Sequence, residues 1–341
     1  MLDTLKALCA LSGVSGSEDD VREYIIKRAE KYADKIDTDV MGNVIVFKKG
    51  AKTPPEKLMF CAHMDEVGII VTNITDDGYL KFASAGSVDG RVIIGKPVTI
   101  GKNRVFGIIG CKAIHLVNKD ARGKAIKNED MYIDIGAKTR EDAEKLISPG
   151  DAGTFDDTIV EFGDGLIKAK AIDDRFGCAA LLELIESDLP VDCWFAFTVQ
   201  EEVGLRGSRP AALRISPDIA VIVEGTTAAD FPSVSSVKKV CVLGKGPVIP
   251  FMDNGTIYNR ELFTKLTTLA EKNDIPWQTK TVVAGSTDGA AVQRSGAGVK
   301  TVGVAAPIRN LHSPSCVGKI SDMEAVLKLL RLFLEELGAD C

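Results

Sequence analysis

KLMFCAHMDEVG, residues 57–68, is the stretch whose reading decides the fold. Leu58 to Ala62 are all apolar, a short run that fits a buried strand, and His63 and Asp65 come directly after it. Open α/β sheets bind ligands at the carboxyl ends of their strands, so this run delivers a histidine and an acid to the expected edge. NVIVFKK at 43–49, across a Lys/Pro-rich turn, reads as a second strand. Upstream, residues 2–11 repeat apolar side chains at helical spacing, and Ser17 with Asp20 forms a capping-box pattern before Val21, Tyr24, Ile25 and Ala29.

Downstream the texture changes. From about residue 70 to 163 come short β-rich runs (GIIVTNI, YLKFAS, RVIIGKPVTI, RVFGIIGC, YIDIGA) broken by DDG, GK and SPGD turns. Alternation then resumes, with helices expected at 174–187, 258–273, 287–294 and 321–337. Strands are expected at 193–199, 219–224, 277–283 and 300–305. The sequence therefore predicts an α/β fold, a mixed sheet flanked by helices, built from 1–69 and 164–341 and interrupted by a β domain at 70–163. The length of 341 residues also favours two units.

Composition excludes several classes. With 45% hydrophobic and 26% charged residues, a mean hydropathy of +0.08 and no apolar run near the ~20 residues of a membrane helix, no membrane association is expected. A formal charge of -6 and a pI near 5.3, with no basic cluster, argue against nucleic acid as the partner. The first sixteen residues carry Asp3 and no basic leader, so they read as an amphipathic helix rather than a signal peptide, and a cytoplasmic protein is expected. Eight cysteines without CxxC pairs fit reduced, mostly buried thiols. Cys61 precedes His63 as C-x-H but ends an apolar run, which assigns it to core packing.

The chemistry lies in five scattered segments. His63 and Asp65 stand two apart, so the carboxylate can orient the ring for metal ligation. Asp173 and Asp174 are neighbouring acids after the strand-like LIKAKAI; one could cap the next helix, but two repel unless a cation lies close, which favours Asp173 as ligand and Asp174 as support. Glu201 and Glu202 follow WFAFTV and precede Gly204 and Gly207; if the chain turns there, one glutamate can bind metal while the other takes a proton from water. Glu224 ends IAVIVE, where a carboxylate is costly unless paired or coordinated. His312 lies in NLHSPS, in a loop before the last helix, and His115 in KAIHLV is assigned to structure. The donors are thus His63, Asp173, Glu202, Glu224 and His312, with Glu201 as base and Asp65 behind the histidine. Five donors suit two metals sharing a carboxylate, about 3.5 to 4 Å apart, better than one tetrahedral ion.

Taken in order, AHMDEVG, GIIGCKAIHL, YIDIGA, AIDDRFG, QEEVGLRG, VEGTTAAD, STDGA at 286–290 and NLHSPS span essentially the whole chain. This set resembles the tetrahedral aminopeptidases, a family of dinuclear metallopeptidases that includes glutamyl aminopeptidases and members once labelled cellulases or endoglucanases. The resemblance implies a zinc-peptidase-like catalytic domain with an inserted β-barrel-like domain. By similarity Asp173 bridges two divalent ions, His63 and Glu224 complete one site, Glu202 and His312 the other, and Glu201 is the general base. It also implies a cis peptide after Asp173, and an aspartate is common in the family where this chain has Glu224. Zinc is the expected metal, with cobalt and manganese as alternatives. Short peptides are the implied substrates, and a homo-oligomer, in the family a tetrahedral dodecamer, is the implied assembly.

Three rivals stand beside this reading. A metal-dependent carboxypeptidase or deacylase would use the same ions on another substrate end. A glycoside hydrolase needs two acids about 5 to 9.5 Å apart and leaves both histidines unexplained. A metal-binding scaffold needs ligands but no base, so Glu201 beside Glu202 speaks against it.

Overall fold

The computed structural model describes residues 1–118, 120 and 123–341 of the chain. Helices α1 (Leu2–Cys9) and α2 (Asp19–Ala29) open it, followed by strands β1 (Lys35–Thr38), β2 (Val44–Lys48) and β3 (Leu58–His63). The capping box expected at Ser17 does not form. Glu18 is the N-cap residue of α2, and its carboxylate instead accepts from the amides of Gly16 and Gln200. A long acceptor can reach across to the turn at Gln200, which the serine cannot.

The β-rich middle contributes β4 (Gly68–Ile74), β5 (Leu80–Ala85), β6 (Pro97–Ile100), β7 (Val105–Cys111), β8 (Met131–Asp134) and β9 (Ala152–Phe155), with the short helices α3 (Gly90–Ile93) and α4 (Arg140–Glu144). These strands close into a barrel in the order β4-β5-β8-β7-β6-β9. It encloses its own apolar core, with Ile69, Val71, Leu80, Ile100, Ile133 and Phe155 all buried. Closure removes the edges on which antiparallel strands would otherwise pair with another chain.

The remaining elements are β10 (Val160–Phe162), β11 (Leu166–Ala169), α5 (Ile172–Ile185), β12 (Cys193–Thr198), α6 (Ser208–Ile215), β13 (Ile219–Thr227), α7 (Arg260–Lys272), α8 (Gly289–Gln293), β14 (Lys300–Arg309), β15 (Cys316–Lys319) and α9 (Ile320–Asp340). Together with β1–β3 they build a nine-stranded sheet ordered β1-β2-β12-β3-β13-β14-β15-β11-β10. Its four central strands β12, β3, β13 and β14 are parallel to one another, and the flanking pairings are antiparallel.

Side-chain alternation in β3 shows why the sheet needs helices on both faces. Leu58, Phe60 and Ala62 join the large core shared with α1, α2, α5 and α9, whereas Met59 and Cys61 point into a second cluster with Ala211, Ala212 and Ile215 of α6 and Val292 of α8. Phe60 stacks on Phe195 of β12 at 5.7 Å, a contact worth ~0.5–1.5 kcal/mol beyond its buried area. Cys61 is accordingly a fully buried core residue.

Three boundaries differ from the sequence reading. The large sheet resumes at Val160, four residues before the expected return at 164, because Val160–Phe162 pairs with Leu166–Lys168 across a hairpin in which Gly163 and Gly165 both have positive φ. Strands β13 and β14 run on to Thr227 and Arg309, beyond the expected 224 and 305; each is the other's partner through Thr227↔Ile308, so pairing overrides the weak strand propensity of Gly225 and Pro307. The strand expected at 277–283 does not form. That segment makes one isolated bridge, Gln278 with Val248, and the Gln278 side chain serves the loop backbone at Val242 and Gly246. No helix among the described residues is long and apolar enough to cross a membrane.

Candidate metal centre

The four central parallel strands place the chemistry at one edge. His63 is the last residue of β3, Glu224 lies in β13, Glu201 and Glu202 follow β12, and His312 follows β14. Asp173 and Asp174 open α5, both with non-helical backbone angles and joined by a cis peptide bond.

These side chains converge. His63 Nε2 lies 3.4 Å from Asp173 Oδ1 and 3.2 Å from Glu224 Oε1. His312 Nε2 lies 3.6 Å from Asp173 Oδ2 and 3.2 Å from Glu202 Oε2. Asp173 thus sits between two histidines, one oxygen toward each, and each histidine has its own glutamate. The buried Asp173 Oδ1 has no hydrogen-bond partner. A buried carboxylate oxygen with no hydrogen-bond partner, facing an imidazole nitrogen, could hold a cation.

Two groups of ligating atoms lie within 4.8 Å of one another: His63 with Asp173 and Glu202, and His63 with Asp174 and Glu224. Asp174 is the weaker donor of the two aspartates. Its oxygens already accept from the amides of His63 (3.2 Å) and Gly177 (2.9 Å), so it fixes the strand end and the helix start.

Electrostatics point the same way. Burial, then the neighbouring acids, raise Glu224 to about 8 against the pull of His63, and burial raises Glu202 to about 7 against the pull of His312. Burial likewise lifts Glu201 well above the usual range, with Glu224, Asp288 and Glu202 adding repulsion. Burial opposes charge on His63, but Glu224, Asp173 and Asp65 outweigh it and raise the ring well above its ordinary value. His312 rises to about 9, where Asp173 and Glu202 overcome burial. Asp173 moves down despite burial because both imidazoles face it. So many buried acids around two rings stay ionised together only if positive charge joins them. The histidine and carboxylate donor set suits zinc-like divalent ions.

Asp65 touches the His63 ring and also serves the turn beside it. The ring of His63 is oriented mainly by the backbone, Nδ1 lying 3.0 Å from the carbonyl oxygen of Asp65 and 3.5 Å from its carboxylate. The carboxylate instead accepts from the amides of Glu201 (Oδ1, 2.9 Å) and Glu202 (Oδ2, 3.1 Å) and from Ser15 Oγ (2.6 Å). It pins the glutamate turn, whose tightness also needs positive φ at Gln200, Gly204 and Leu205. Glu201 is nearly buried, and among the described residues no hydrogen bond or ion pair holds its carboxylate, which lines the open cavity.

Behind the site, Glu66 pairs with Lys170 at 2.9 Å and Arg175 at 3.3 Å, all three buried. Arg175 also donates to the carbonyls of Met64 and Leu8, tying the turn after His63 to α1 and α5. Burial pushes the Lys170 ammonium below its ordinary value even with Glu66 in contact. His115 stands apart from all of this, exposed in a short 3-10 turn at Ile114–Leu116.

Sequence reasoning missed two contributors. Thr198, at the end of β12, donates to the buried Asp288 at 2.5 Å; Asp288 belongs to the STDGA loop noticed only as part of the resemblance. Lys280 lines the cavity from the segment misread as a strand, and an isolated lysine carries no sequence signal.

A family model for the M42 glutamyl aminopeptidases matches residues 42–329. A putative aminopeptidase of Acetivibrio thermocellus is 38% identical, with 97% of each chain covered. Among solved structures, the TET aminopeptidase from a marine sediment archaeon, Thaumarchaeota archaeon SCGC AB-539-E09, superposes with a TM-score of 0.94 at 31% identity, covering 99% of this chain and 98% of its own. The TET1 peptidase of Pyrococcus horikoshii, described as assembling into a tetrahedron or a large octahedral shell, gives 0.86 at 35% identity over 98% of both chains.

Proposed function

This chain belongs to the M42 glutamyl aminopeptidase family and is a peptide hydrolase, and from that premise we propose that it is an aminopeptidase of short peptides working through a dinuclear metal site. The observation that carries the reading is Asp173, one oxygen directed to His63 and the other to His312. His63 and Glu224 would hold one ion, His312 and Glu202 the other, with Asp173 shared; zinc fits this donor set, and cobalt or manganese would also be accepted. When bound, such a pair polarises the peptide carbonyl and makes water a competent nucleophile near neutral pH.

The chain's own groups do the rest. Glu201, without a protein partner for its carboxylate, takes the proton from the attacking water and passes it to the departing amine nitrogen, so that proton and leaving group balance. Asp65 keeps Glu201 aimed by holding its backbone amide. Asp174 fixes the strand end that presents His63. The cavity, about 570 Å³, takes a peptide terminus rather than a folded chain.

Every residue named here lies in 1–69 or 164–341, the catalytic unit in our division, with the barrel as its insert. Assembly into a closed homo-oligomeric shell, as in the Pyrococcus horikoshii relative, would restrict entry further, and light scattering on the purified protein tests it. The reading itself is tested by assaying free against amino-terminally acetylated peptides after metal loading. Turnover of the free peptide alone, abolished by a chelator and restored by zinc or cobalt, is the expected result. Equal turnover of the acetylated peptide would point to a deacylase or carboxypeptidase instead.

A further inference from the structure

Asp288, at the head of α8, is 1% exposed and is the one buried acid outside the metal cluster whose charge nothing answers. Asp65, Asp174, Asp253 and Asp322 each accept from two backbone amides, and Glu66 pairs with Lys170 and Arg175. Glu18 likewise accepts from two amides. Among the described residues no amide donates to the Asp288 side chain and no lysine or arginine pairs with it, and its Oδ1 has no hydrogen-bond partner. Ionised, it would be a buried charge without compensation.

Its contacts give a reason for it to carry a proton. Asp288 Oδ2 lies 2.5 Å from Thr198 Oγ1 and 3.8 Å from Cys61 Sγ. Thr198 Oγ1 also lies 3.2 Å from the carbonyl oxygen of Ala62. A threonine hydroxyl has one hydrogen, so as a donor it serves one of those oxygens and leaves the other empty-handed. With a proton on Asp288 both contacts are hydrogen bonds, and 2.5 Å suits an O–H donor. The nearby hydroxyl of Ser208 in α6 donates to the Leu205 carbonyl at 3.3 Å. The titratable groups that face Asp288 are Cys61 and His63 of β3, Asp65 in the turn after it and Glu201 in the turn after β12. Burial lifts the Asp288 carboxyl above its ordinary value against the pull of Thr198, Ser208 and His63.

We propose that Asp288 is a positioning residue that works as a neutral acid, its O–H donating to Thr198 Oγ1 while Thr198 donates to the Ala62 carbonyl. The relay ties the head of α8 to the ends of β12 and β3. Ser286 and Thr287, just before Asp288, line the cavity, and β12 leads into Glu201 and Glu202. Protonation closes this clamp without adding a further negative charge behind a site already crowded with acids. Only the link to turnover rests on the aminopeptidase reading.

The test compares Asp288→Asn, which stays neutral and keeps a donor, and Asp288→Ala, which has none, with the unaltered protein, all loaded with zinc. The infrared difference spectrum, unaltered minus Asp288→Asn near neutral pH, should contain the carbonyl band of a protonated carboxylic acid, displaced in heavy water. A carboxylate band in its place would overturn the proposal. Denaturant unfolding between about pH 5 and 9 reads the same proton. An acid whose folded pKa is raised above its ordinary 3.8 stabilises the fold at low pH and loses that contribution as pH rises toward the folded value. The folding constant of the unaltered protein should therefore fall relative to that of Asp288→Asn, by up to about tenfold per pH unit until Asp288 ionises. A ratio independent of pH would overturn the proposal. On an aminoacyl reporter Asp288→Ala should lose roughly tenfold in kcat/KM, mainly through KM as the cavity wall moves, and Asp288→Asn should recover most of it. An asparagine variant as impaired as the alanine one would remove the donor role. If Asp288→Ala does not fold, the infrared and unfolding measurements on Asp288→Asn still decide. An unaltered protein that hydrolyses no peptide sinks the aminopeptidase reading, and the same two measurements then decide Asp288.

Discussion

The two halves of the proposed metal centre are made differently. His63 and Glu224 stand on neighbouring parallel strands, and both side chains are almost inaccessible, 1% and 8% exposed. Glu202 and His312 stand on turns: Glu202 two residues beyond a positive-φ Gln200, His312 itself at φ 57° with 31% of its side chain exposed. The first half inherits its geometry from a hydrogen-bonded ladder. The second depends on a few left-handed backbone angles and on the Asp65 carboxylate that holds the glutamate amides. A strand-borne pair is set once the sheet forms, whereas a turn-borne pair can be shifted without unfolding anything.

The largest expected effect lies between the halves. Glu201→Gln should reduce kcat by ~10²–10⁴-fold while bound metal, measured by elemental analysis, stays at the unaltered level. Retained turnover would remove the base from Glu201. Next, the strand-borne half can be attacked from behind. Glu66→Ala strips the counter-charge from Lys170 and Arg175 and should cost about 3–5 kcal/mol in denaturant unfolding, because two buried cations lose their partner. A loss no larger than that of a surface substitution would show that the turn after His63 is held by packing instead.

The turn-borne half has its own lever. Asp65→Asn keeps one acceptor but turns an NH2 toward an amide that needs an oxygen, so kcat/KM should fall ~10–100-fold with much less change in stability than Glu66→Ala causes. If the two variants were equally destabilised, the contrast between the halves would disappear. Smallest of all, Ser15→Ala removes one donor from the same carboxylate and should cost about 1 kcal/mol, read as a modest drop in the unfolding midpoint.

The same contrast explains what could be read before the structure. KLMFCAH and IAVIVE announce buried strands by composition, so His63 and Glu224 could be placed at a sheet edge from residue order alone. His312 and Glu202 were found only because their segments, NLHSPS and QEEVG, answered the others; no periodicity says that a turn will bring them inward. The glycines after Glu202 did signal the turn, and Gly204 at φ 119° makes it. Errors fell where long-range contacts decide. The strand at 277–283 failed because its partner is a loop, and with it went any chance of noticing Lys280. Closure of the insert into a barrel, expected from the resemblance alone, rests on pairing β4 with β9, which are far apart in sequence and carry no local signal of it.

Asp65 accepts from two successive amides with its two oxygens. The spacing between those amides is dictated by the peptide unit itself, with adjacent Cα atoms ~3.8 Å apart, so one carboxylate fixes the backbone of both glutamates as a unit. Replacing the turn would therefore have to keep both that carboxylate and the left-handed angles at Gln200, Gly204 and Leu205.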